Sequence, residues 1–175
     1  LNKNIYLFIF QKKMGYNTDF YGAIKINRPV DNLTIKWLNG LCSTRRMKRC
    51  VKKLAMRLGI SEEECINKYG EDAKHYFEMG PNSGQTHTDD IINYNHPPAD
   101  QPGLWCNWGL GDDMESIVWT GAEKFYEYIA WMGYIVTELE ERGYIMNGEI
   151  RWEGEDPDDK GILMVNNNAV SYKHI

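Results

Sequence analysis

Residues 125–152 read FYEYIAWMGYIVTELEERGYIMNGEIRW, and the apolar period changes inside this stretch. Phe125, Ile129, Met132, Val136 and Leu139 fall at helical spacing, and Tyr128, Trp131 and Ile135 widen the stripe, which predicts a helix with a broad buried face. Thr120 or Gly121 leads into this helix, and Arg142-Gly143 supplies a glycine stop. From Ile145 to Trp152 the period falls to two, as in a half-buried strand. Gly161–Val165 and Ala169–Lys173 continue as strands, with residues 153–160 and Asn166-Asn167-Asn168 as turns. A core helix followed by a meander implies helix packed on antiparallel sheet.

Upstream, Leu104–Trp108 and Glu115–Trp119 flank a Gly109–Asp113 turn and predict an aromatic hairpin. Phe20–Asn27 alternates like a strand that ends before Arg28-Pro29. Asp31 or Asn32 then caps a short helix carrying Leu33, Trp37, Leu38 and Leu41. The expected class is α+β: an antiparallel sheet of about five or six strands, one long core helix packed on one face and a small helical insert.

The insert covers residues 42–80. Thr44–Leu58 predicts a helix with Met47, Val51, Leu54, Ala55 and Leu58 on one stripe and Gly59 as its stop. Ser61-Glu62-Glu63-Glu64 is a capping box opening a second helix. The pair resembles a DNA-binding helix-turn-helix, but three glutamates would face phosphates at the recognition end. A long loop follows over 81–103, where Pro97-Pro98 and Pro102 exclude regular helix. Residues 14–175 thus read as a single domain, preceded by an N-terminal extension over 1–13 or, equally, a short edge strand there.

The chain has 175 residues, 42% of them hydrophobic, with 6 Trp, 11 Tyr and only 6 Pro, enough to bury a core without staples. Cys42, Cys50, Cys65 and Cys106 form no C-x-x-C pair, which favours a reducing cytoplasm over a disulfide framework. The apolar run Ile5–Phe10 is far shorter than the ~20 residues a membrane helix needs.

A net charge of −5 conceals a strong asymmetry. Residues 32–61 hold eight bases and no acid, whereas residues 104–159 hold fourteen acids against Lys124, Arg142 and Arg151. A charge run is often only a solvated face. The sharper reading is an anion site, because Arg45, Arg46, Lys48 and Arg49 concentrate four cations in five residues and guanidinium forks clamp phosphate bidentately. Strand alternation places Trp105 and Trp108 on opposite faces, so that one of them is exposed. An exposed Trp beside an arginine gives a stacking surface for an anionic small molecule. Duplex DNA is disfavoured because the acidic remainder repels a long phosphate backbone.

Signals for catalysis are weak. The Glu155–Asp159 loop partly imitates a calcium loop, but Lys160 and Asn167 stand where ligands are required. His87, Asp89, Asp90, His96 and Cys106 offer metal-ligand types without a metal-ligand spacing. No nucleophile elbow, Walker loop, dinucleotide fingerprint or zincin helix is present, and no cofactor is expected.

Four phrases, RRMKR at 45–49, QPGLWCNW at 101–108, EKFYEY at 123–128 and NGEIRWEGED at 147–156, resemble a family of small uncharacterised proteins from tailed phages and bacterial genomes. Asn107 and Thr120 depart from the Gln and Asp common there. The resemblance implies a phage or prophage accessory protein in the host cytoplasm. The leading expectation is a non-enzymatic binder of a phosphorylated small ligand or a host protein through Arg45, Arg46, Lys48, Arg49, Trp105 and Trp108. The alternatives are a metal-dependent hydrolase or nuclease using the 155–159 loop, and a virion structural protein.

Overall fold

The computed structural model describes residues 15–175, so the extension or edge strand expected over 1–13 lies outside the described residues. Six strands form one antiparallel sheet: β1 (Thr18–Ile26), β4 (Trp108–Leu110), β5 (Ser116–Trp119), β6 (Met146–Gly154), β7 (Lys160–Asn166) and β8 (Ala169–His174), in the order β4-β5-β1-β6-β7-β8. β1 and β6 pair along their whole lengths, from Thr18 opposite Gly154 to Ile26 opposite Met146. Alternation then puts Phe20, Ile24 and Ile26 on the same face as Met146, Ile150 and Trp152, with Leu163 and Val165 of β7 completing it. The other face carries Asp19, Tyr21, Lys25, Glu149 and Arg151, all exposed. In this ladder Gly22 lies opposite Ile150 and Gly148 opposite Ile24, with φ of 115° and 148°. A Cβ on either would meet the partner strand's carbonyl at 2.5 Å, so both positions require glycine.

The helical layer differs from expectation. No single long core helix covers the sheet. α1 (Asn32–Ser43) and α4 (Tyr128–Glu141), of 12 and 14 residues, share the task. Trp37, Leu38 and Leu41 from α1 enter the same core as Trp131, Met132, Ile135, Val136 and Leu139 from α4. Asp31 caps α1 by accepting from the Thr34 amide at 2.8 Å, and Tyr144 donates its hydroxyl to the other Asp31 oxygen. α4 begins at Tyr128, later than the apolar stripe suggests, because Lys124 and Glu127 adopt left-handed φ of 59° and 56°. Phe125 is still buried, but from an irregular segment.

The insert contains α2 (Val51–Leu58) and α3 (Glu62–Tyr69), capped as predicted by Gly59 in the left-handed region and by Ser61 accepting from the Glu64 amide. They enclose a second, smaller core of Val51, Leu54, Ala55, Cys65 and Ala73. The helix does not extend back to Thr44. Lys48-Arg49 forms a two-residue strand, β2, paired with β3 (Ile91–Asn93) from the long loop. All four cysteines are free, and no helix among the described residues is long and apolar enough to cross a membrane.

Candidate binding cleft

The segment 44–50 is extended because Arg46 and Arg49 point inward. Arg46 is buried, and four of its N–H bonds are used internally: Nε to Gln101 Oε1 at 2.9 Å, Nη1 to Thr44 Oγ1 and the Tyr76 carbonyl at 3.1 Å, and Nη2 to the Lys74 carbonyl at 2.7 Å. Its guanidinium also lies over Phe77 at 4.6 Å. Burial lowers its pKa to about 10. Arg49 is equally enclosed, bridging Asp90 at 2.5 Å and Glu78 at 2.9 Å. Arg57 completes a four-membered ring by bridging the same two carboxylates at 2.8 Å, and both arginines stack on Tyr76. Burial alone would push the Asp90 carboxyl up. The hydrogen bonds of Arg49 and Thr88 and the two arginine charges outweigh it and hold Asp90 below the usual carboxylate range.

The expected anion clamp is therefore not assembled. Arg46 and Arg49 have their donors engaged inside the protein. Trp108 is likewise core: it is fully buried, packs edge-on to Phe20 and Phe125, and donates Nε1–H to the Tyr128 carbonyl at 2.8 Å. Lys48 is half-buried in β2, opposite Asn93. Only Arg45 and Trp105 come together at the surface. The Arg45 guanidinium lies 5.9 Å from the Trp105 ring and is steadied by the Tyr94 carbonyl at 3.1 Å.

Trp105 lines a cleft of about 650 Å³ with Asn95, Pro97, Leu104, Lys124 and Tyr126. Two segments distant in sequence build its walls. The first runs through the proline-rich loop and is pinned by Gln101, whose Oε1 accepts from Arg46 and whose Nε2 donates to the Lys74 carbonyl and the Tyr134 hydroxyl. The second, 121–127, is fixed at one end by Trp119 Nε1–H donating to the Ala122 carbonyl and at the other by α4. Buried Arg46 thus sets the position of a loop that carries the half-buried Trp105.

The acidic loop has a structural role. Asp159 accepts from the Tyr16 hydroxyl at 2.8 Å and from Trp152 Nε1–H at 3.1 Å, closing the β6–β7 hairpin. Among the described residues, no three His, Cys, Asp or Glu side chains converge to hold a metal ion. Compared with known protein families, characterised proteins and solved structures, the chain shows no match.

Sequence reading found Trp105 and Arg45 but not Asn95, Pro97, Lys124 or Tyr126. The available signals were the density of proline around 97–102 and the EKFYEY phrase, and neither says that these segments meet.

Proposed function

We propose that the protein is a non-enzymatic binding protein, a phage or prophage accessory factor, that holds a segment of a partner protein in the Trp105 cleft. One observation carries this reading: Arg45 and Trp105 stack at the wall of a proline- and aromatic-lined cleft, while the other arginines of the basic run are engaged internally. A phosphorylated ligand needs free guanidinium forks. In the cleft lining it would meet only Lys124, with Arg45 at the edge already donating to the Tyr94 carbonyl. A polypeptide instead gains from rigid aromatic and proline surface, which orders few rotamers on binding. The phage context rests on the four sequence phrases.

Selection of a random-peptide display library on the immobilised protein tests this directly. The expected result is one shared motif whose synthetic peptide binds the wild type, binds Trp105→Ala at least about tenfold more weakly, and binds Lys52→Ala unchanged. Failure to enrich any motif, together with a nucleotide that raises the melting temperature of the wild type but not of an Arg45→Ala variant, would return the phosphorylated ligand to first place.

A further inference from the structure

A second hollow, of about 470 Å³, adjoins the cleft, and Pro102 lines both. Its floor is the outer face of α4, where Ala130, Gly133 and Thr137 keep the helix low. A Cβ at Gly133 would find nothing within 4 Å. The two hollows meet at Pro102: one lies beside Trp105, and the other follows α4 as far as Glu141. Fourteen helical residues rise roughly 20 Å, a distance that about six residues of extended chain would span.

The lining charge is one-sided. Asp100, Glu123, Glu127 and Glu141 make no ion pair among the described residues. Glu138 is already bridged to Lys74 at 3.4 Å and to Arg142 at 3.3 Å, which leaves Lys124 in the lining and Arg45, beside Trp105 and donating to the Tyr94 carbonyl, as the remaining cations against four carboxylates. We infer that the groove takes an extended basic segment of the partner polypeptide, with an apolar side chain seated at Trp105 and lysines or arginines running along α4 toward Glu141. This rests on the peptide-binding reading above and names the chemistry of its partner. Four carboxylates along one groove attract cations and repel phosphate, so a nucleic acid is the wrong occupant.

The test uses the full chain and two fluorescein-labelled peptides of about nine residues, long enough to overhang the groove. One has lysine and arginine around a central Leu-Trp pair, and the other has glutamate in place of each cation. The basic peptide should bind, and its anisotropy signal should weaken steeply as ionic strength rises. Glu123→Lys combined with Glu141→Lys, both at exposed positions, should weaken it roughly tenfold or more without changing the melting temperature, while Glu63→Lys on α3 should not. Basic-peptide binding that ignores the groove reversal would overturn the inference. Tighter binding of the acidic peptide, lost on Trp105→Ala, would also overturn it yet leave the peptide-binding reading standing. If neither peptide binds and no display-selected ligand responds to Trp105→Ala, both fall.

Discussion

A guanidinium enclosed without a carboxylate is tolerable only when its N–H groups find oxygens, and Arg46 meets that condition with two backbone carbonyls, an amide and a hydroxyl. Arg46→Ala strands the Tyr76 carbonyl and Gln101 Oε1, for an expected loss of about 3 kcal/mol in urea denaturation. Arg46→Lys should recover little, because an ammonium cannot reproduce the planar fork. His75 responds to pH. Trp37 Nε1–H donates to His75 Nδ1 at 3.2 Å, and burial pushes the imidazole pKa down, against the Glu138 carboxylate and with the help of Lys74, Arg142 and Arg46. The folded state binds the proton less well than the unfolded chain, so this stability is complete above about pH 6.5 and lost as pH falls below it. The melting temperature should drop between about pH 7 and 5.5, and His75→Gln, which can still accept from Trp37, should flatten that drop. Asp31, Asp90 and Asp113 are held low and give up their contributions only in more acid solution. Residue types announced charge in the basic run. Whether that charge faced water or carbonyl oxygens depended on segments 28 to 55 positions away, which no local pattern encodes.

Elements with a sustained period were legible, and those shaped by long-range contacts were not. The change from period 3.6 to period 2 within 125–152 anticipated α4, β6 and the meander behind them. Residues 44–50 have helix-forming composition, yet they stay extended because Arg46, Met47 and Arg49 are buried from that backbone and β3 pairs with it. The α2–α3 insert is attached to the remainder through the Arg49–Asp90–Arg57–Glu78 ring and has its own small core. Asp90→Asn breaks two of the bridges and leaves cationic donors buried, with an expected cost of about 3 kcal/mol. Because the insert core is separate, that cost should fall locally: native-state hydrogen exchange should show α2 and α3 amides losing protection while β1 and β6 keep theirs. Equal loss across both cores would mean that insert and sheet unfold as one unit.

At the scale of the molecule, a one-sided sheet with two helices on its buried face leaves the outer side of α4 open, and two connecting segments rise beside it to make the groove. Segments 95–105 and 122–127 meet there only because β4 and β5 bring their ends together, so the cleft could not be read before the topology was known. The charge asymmetry of the sequence survives in altered form: Arg46 and Arg49 of the basic run are consumed inside, and acidic residues line the groove. The most direct test of this account is a two-dimensional 15N–1H spectrum titrated with the display-selected or basic peptide. It predicts that the Trp105 indole and the amides of 103–105 and 122–127 shift while the buried Trp152 indole stays fixed. Shifts confined to Lys52, Lys53 and the exposed face of α2, with the Trp105 signal unmoved, would contradict it.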